Sequence, residues 1–240
     1  MIRKTGFLLA FTLFTPFALQ AATVVGKAES VAGAVFLNPD TAEGRNLKKR
    51  DPLTSSDTVV TGDDGNAAIR LTDGSQLLVD TNSRLVLAEY DVAAEPNAVL
   101  DLLRGRLRSV VTDTFSRRKS SFRVRTNTAI MGVQGTDFVV YSDSKLTLVY
   151  VFKGNVEVKN IDPAVKGSVL LGPGESTEVR KGRPPAELPE EEKQKIGSGG
   201  ILNRRSGGSQ VDDPGAIVPP TDIGKTPPLL QSPYLDYRQP

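Results

Sequence analysis

The sequence predicts an all-β fold, and three observations carry that expectation. From Ala22 to about Arg180 the chain is dense in short apolar and β-branched runs, several of them strictly alternating. Between those runs stand Gly-Asp, Asp-Gly and Asn-Ser pairs, the residues that tight turns require. Helix signals are sparse throughout this region. Periodicity alone fits a sandwich or a barrel equally well.

Thr23-Val24-Val25 and Val31-Ala32-Gly33-Ala34-Val35-Phe36-Leu37 open the strand-rich region. Lys48 to Pro52 reads as a polar turn, followed by a strand at Thr58 to Thr61 and a turn at Gly62-Asp63-Asp64-Gly65. Ala67 to Leu71 alternates and meets Asp73-Gly74, the strongest hairpin signal in the chain. Gln76 to Val79, a corner at Asp80 to Ser83, and Arg84 to Leu87 follow. Leu146 to Phe152 and Val156 to Val158 read as a hairpin-like pair. A pattern of apolar residue, one residue, Gly, one residue, apolar residue recurs around Gly33, Gly105 and Gly154. Its spacing is too irregular for a fixed-period solenoid, but it suggests strands that start alike and stack in one β architecture.

The least ordinary stretch is Thr126 to Tyr141, TNTAIMGVQGTDFVVY. Two apolar runs flank a polar bend at Gln134-Gly135-Thr136-Asp137, which reads as a buried strand-turn-strand or a ligand loop. Gly132 and Gly135 mark places where the backbone takes positive φ or another backbone comes close.

These residues carry a family resemblance. Phe122, Val124, Thr126 and Ala129, followed by Val133, Gly135, Thr136 and Phe138, are similar to the signature F-x-V-x-T-P-x-A-x-x-x-V-R-G-T-x-F of FecR-like domains, periplasmic domains named after the ferric-citrate regulator. Asn127 stands where the family usually has Pro, and Gln134 where it usually has Arg. Thr61-Gly62, Asp73-Gly74-Ser75 and the closing Gly172-Pro173-Gly174-Glu175 also fit, so the resemblance spans roughly residues 47 to 179. It implies a compact roll or a solenoid-like stack of short strands. The family-motif residues are then Thr126, Ala129, Gly132, Val133, Gln134, Gly135, Thr136 and Phe138. Regulator-type members join this domain to a cytoplasmic anti-sigma segment through one membrane span. This sequence has a signal-like start instead, so the resemblance implies an exported, non-enzymatic interaction module with a protein partner in the envelope.

Three segments are expected. Residues 1–21 read as a secretory signal, with Arg3 and Lys4 ahead of an apolar run from Phe7 to Leu19 and a small residue at Ala21. The run is too short to span a bilayer comfortably, and no later run approaches about 18 apolar residues. The expected location is periplasmic or secreted, with no membrane span after cleavage. Residues 22–180 form the β domain. Residues 181–240 hold ten of the sixteen prolines, eight of the twenty-two glycines and no Phe. That composition predicts a disordered Pro/Gly-rich C-terminal tail. Within it, Glu187 to Ile196 suits a short helix, and Leu229 to Tyr237 suits a docking peptide.

Composition excludes much chemistry. The chain contains no His and no Cys, which removes His- and Cys-dependent nucleophilic sites, His or Cys metal sites, disulfides and a lipidated cysteine. No catalytic residue, metal or cofactor is expected. A net charge of +2 gives no push toward nucleic acid. Asp57, Asp63, Asp64, Asp73 and Asp80 could pair or bind a cation, but Asp at these turns is what hairpin geometry asks for. The remaining candidate is cationic. Arg104, Arg106 and Arg108 alternate opposite Leu103 and Leu107, and Arg123 and Arg125 opposite Phe122 and Val124, with Arg117-Arg118-Lys119 between. If the strands are neighbours they form a ridge able to hold an anionic glycan, a phosphorylated lipid or an acidic protein face. The other reading is a solvated face that resists edge-to-edge association.

Overall fold

The computed structural model describes residues 23–93, 95–116 and 120–188. The signal-like segment, Arg117-Arg118-Lys119, the helix suggested up to Ile196 and the Leu229–Tyr237 cluster lie outside the described residues. No helix among the described residues is long and apolar enough to cross a membrane.

The described chain is all β. Fifteen strands form one open, mixed hydrogen-bonded sheet. They are β1 (Val24–Ala32), β2 (Val35–Leu37), β3 (Arg45–Asn46), β4 (Pro52–Thr54), β5 (Thr58–Thr61), β6 (Asn66–Leu71), β7 (Gln76–Val79), β8 (Arg84–Asp91), β9 (Asn97–Val110), β10 (Ser121–Arg125), β11 (Ala129–Ser142), β12 (Leu146–Asn160), β13 (Ser168–Leu171), β14 (Ser176–Arg180) and β15 (Ala186–Glu187). Among the described pairs all are antiparallel except β9 with β10.

Three long strands fold this sheet into a roll. Residues 105–110 of β9 pair with β7 and with residues 137–142 of β11, whereas residues 97–104 pair with β8 and β10. The strands β11 and β12 divide in the same way. One layer therefore runs β4-β1-β6-β7, then the second half of β9, the second half of β11, the first half of β12, β14 and β15. The other runs β3-β2-β5-β8, then the first half of β9, β10, the first half of β11, the second half of β12 and β13. A single buried cluster draws on both, including Ile69, Leu77 and Val140 from the first layer and Leu85, Leu100 and Phe122 from the second. The connection after β9 contains a 3-10 turn (Asp113–Ser116) and adds Phe115, which meets Phe122 edge-on at 5.1 Å. Burying such a side chain stabilises the fold by about 1.5–3 kcal/mol.

Each long strand bends at a glycine. Gly105 in β9, Gly135 in β11 and Gly154 in β12 have φ of 91°, 58° and 81°, a region that L side chains rarely adopt. A Cβ on Gly105 would lie 2.5 Å from the Ser83 backbone, and one on Gly154 2.9 Å from the Gly135 carbonyl oxygen. The recurring glycine pattern in the sequence is therefore the signature of a corner: Gly33 also has positive φ, and it joins β1 of the first layer to β2 of the second.

Two sequence expectations are corrected here. The stretch around Gly135 is no turn between two strands; β11 continues through it, with the register shifting between Gln134 and Phe138. Nor do Leu146–Phe152 and Val156–Val158 pair as a hairpin, because both belong to β12, which bends at Gly154. In both cases the residues look like a turn because the chain does change direction, but it moves between layers rather than reversing. Strand pairing also extends past residue 180, since β15 pairs with β14 and includes Glu187, which the composition suggested for a helix.

Candidate functional site

The motif strand is built from hydroxyl and amide contacts that hold two corners. Ala129 N donates to Thr126 Oγ1 (2.9 Å) and Thr126 N to the Ala129 carbonyl (2.9 Å), closing a tight link between β10 and β11. Thr126, Thr128 and Thr147 are buried and share short hydroxyl contacts of 2.6 and 2.7 Å. Asn127, at the usual Pro position, donates through Nδ2 to the carbonyls of Leu103 (2.8 Å) and Asp143 (3.1 Å), so a side chain ties β9 to the connection between β11 and β12. Ala129, Val133 and Phe138 are buried in the core, and Thr136 is buried against the Gly154 bend. Gln134 is exposed. Gly132 has neither positive φ nor any neighbour within 4 Å of a Cβ, so the expected backbone constraint applies to Gly135 and not to Gly132.

The five arginines do not form one ridge. In β9 the inward positions are 98, 100 and 102 before the bend and 107 after it, with Leu103 displaced by the register shift against β8 and 39% exposed. Leu103 and Leu107 thus do not share a face as expected. Arg104 is exposed and sits in register with Arg84. Arg106 lies 3.8 Å from Asp80. Arg108 is on the outer side of the first layer yet only 2% exposed, bonded through Nε and Nη2 to Asp137 at 2.8 and 2.7 Å and stacked 4.5 Å from the Phe152 ring centre. Arg123 and Arg125 are on the outer side of the second layer, as their alternation predicts. Arg125 makes two bonds to Asp101 (2.6 and 2.8 Å), which hold its guanidinium more firmly protonated, and Arg123 donates to Asn97 (3.2 Å).

Most of the acidic corner residues cap turns. Asp57 accepts from Thr54 N and Asn38 Nδ2, both at 2.6 Å, and Asp64 accepts from Ala34 N at 3.0 Å. Asp73 is the hub of a network: it accepts from Tyr90 OH (2.6 Å), Ser75 Oγ (2.5 Å) and Thr112 Oγ1 (2.6 Å). Burial, and then this bond to Asp73, push the Tyr90 phenol well above its usual range.

Sequence reasoning missed the free margin of the second layer. β13 pairs with β12 and, among the described strands, with no other. Its sequence, Ser-Val-Leu-Leu, carries no charge, and Leu170 is 67% exposed. Beside it opens a cleft of about 470 Å³ lined by Ile130, Glu157, Lys159, Ile161, Val165 and Lys166. The signal the sequence offers for it is the uncharged run Val169-Leu170-Leu171 ahead of Gly172.

Comparison with known proteins agrees with the motif. The FecR protein family matches residues 57–157. A search of the curated proteins finds no match. Two solved structures, both described as a "putative anti-sigma factor" from Parabacteroides distasonis, align at 19% and 20% identity with TM-scores of 0.46 and 0.45. Each alignment covers 58% of this chain and 62% of the other, so the chain spans about three fifths of their length.

Proposed function

We propose, from the premise that residues 57–157 carry a FecR domain, that this chain is an exported, non-enzymatic module of the bacterial envelope that works by holding a protein partner. The family match supports a regulatory or signalling role exercised through contacts. The charged start and short apolar run of residues 1–21 support export to the periplasm or beyond. A chain without His or Cys is poorly equipped for hydrolytic or redox chemistry, which supports a binding role over an enzymatic one.

The observation that carries the binding reading is the β13 edge. Sheet margins invite a further strand, and proteins usually blunt them. Here β4 contains Pro52, while β3 and β15 are two residues long. β13 has no Pro and no charge and offers Leu170 at its margin, while Val169 and Leu171 pack on the core. A partner strand added along it would pair with the β13 backbone and meet the exposed Leu170 side chain. The test is capture from an envelope extract with the processed chain and its Leu170→Lys variant. A specific protein held by the first and lost by the second, at unchanged melting temperature, supports the reading. Equal capture by both rejects the edge.

A second reading rests on Arg104, whose register neighbour is Arg84. Arg84 is ion-paired with Asp40, whereas the exposed Arg104 beside it has no ion-pair partner among the described residues, which leaves it available to an external anion. With Arg123, and with Arg106, Arg108 and Arg125 already beside carboxylates, Arg104 would contact an acidic glycan or the phosphates of lipopolysaccharide. Binding that weakens in salt and with Arg104→Glu supports this reading; binding indifferent to both rejects it.

A further inference from the structure

A row of register partners crosses five strands on the outer side of the first layer: Ala68, Leu78, Arg108, Val139 and Tyr150. Outward positions on an antiparallel sheet ordinarily meet water. In this row Arg108 is 2% and Val139 0% exposed. Part of the cover is visible. Leu188, the residue directly after β15, is 4% exposed and packs with Val139, and Leu78, Leu148, Tyr150 and Phe152 complete that cluster. The chain thus leaves β15 by turning onto this face, and the remaining residues, 189–240, start from it.

We propose that residues 189–196, Pro-Glu-Glu-Glu-Lys-Gln-Lys-Ile, lie across this row as a resident strap. Reach permits it. From Val139 to Ala68 is three strand spacings, about 14 Å. Eight residues span about 26 Å extended, enough to cross it, whereas about 12 Å of helix would stop short of Ala68. Chemistry suits it as well. Glu190, Glu191 and Glu192 bring carboxylates to a face that carries Arg108, with Arg106 two residues along the same strand, each already beside one carboxylate (Asp137 and Asp80), and Ile196 adds an apolar end. The competing segment, Leu229 to Tyr237, starts some forty residues further along and holds one acidic residue, Asp236. Closing that longer loop costs more entropy.

The test uses the full processed chain with a benzoylphenylalanine crosslinker in place of Leu78, mapped by mass spectrometry. An adduct within residues 189–196 is expected. An adduct confined to Leu229–Tyr237, one joining two copies of the chain, or none at all overturns the proposal. Hydrogen exchange on the unsubstituted chain is an independent check should the crosslinker perturb folding. Amides of 190–196 should exchange at least tenfold slower than those of 205–213, and a triple Glu190→Lys, Glu191→Lys, Glu192→Lys chain should lose that protection while β11 keeps its own. Equal exchange in the two segments overturns the proposal, and so does protection that survives the triple substitution.

Discussion

Arg108 and Asp137 meet diagonally across β9 and β11 in a two-bond ion pair that is almost wholly excluded from water. The pair joins the strand of the arginine run to the Gly-Thr-Asp-Phe of the motif, two residues beyond the β11 bend at Gly135. A buried pair of this kind contributes little net stability against an apolar replacement, but removing one partner strands a buried charge.

Arg108→Met alone, or Asp137→Leu alone, should therefore destabilise the domain by about 3–5 kcal/mol, and the double variant by distinctly less than the sum of the two. Urea midpoints of the four chains complete the cycle. Strict additivity would show that the two residues do not act as a pair.

The glycines of β11 should behave oppositely to each other. Gly135→Val should cost more than about 2 kcal/mol, because φ is positive at a bend packed against β12. Gly132→Ala should cost almost nothing, since its Cβ would meet no atom within 4 Å. Gln134→Arg, which restores the usual family residue at an exposed site, should leave the melting temperature unchanged. Thermal melts of the three variants decide this.

Beyond the composition shift near residue 180, β15 still pairs with β14 and Leu188 packs on Val139. A chain ended after Arg183 uncovers Val139 and leaves β14 paired with β12 alone, and should lose about 1.5–3 kcal/mol relative to one ended after Leu188. Denaturation of the two truncated chains beside the full one gives the comparison. Equal stability would show that residues 184–188 do not belong to the domain.

Stability should be flat from about pH 6 to 9, because the chain has no His or Cys to titrate there. Burial first, and then Asp143, push the Tyr141 phenol from 10.0 up to about 12. A raised folded value means the fold favours the protonated form. Its contribution is complete below pH 10 and disappears as pH rises from 10 to about 12. Tyr141→Phe should make the alkaline loss shallower. With five Tyr and no Trp, absorbance at about 295 nm follows phenolate formation directly. Simultaneous ionisation of all five near pH 10 would contradict the expected delay at Tyr90 and Tyr141. On the acid side the Arg45 hydrogen bond lowers the Asp51 carboxyl below 3.8, so its contribution is present above that value and fades on further acidification.

The strand class, the hairpin at Asp73-Gly74 and the corner glycines were legible because each depends on neighbours along the chain: side-chain alternation, turn chemistry, and the left-handed backbone that glycine permits. Local pattern settled which residues of β6, β7 and β10 point inward. It could not settle what happened at Gly105. Alternation is a reliable guide only while the strand stays in one layer, and a displaced residue at 103 followed by a positive-φ bend at 105 reset the parity. That reset put Arg108 on a different outer face from Arg123 and Arg125, which the sequence could not show. Its burial depends on Asp137, 29 residues away, and the edge exposed at β13 depends on which strand finishes the second layer. Both are products of long-range pairing, where the free energy comes from contacts between segments whose separation in sequence carries no local signal.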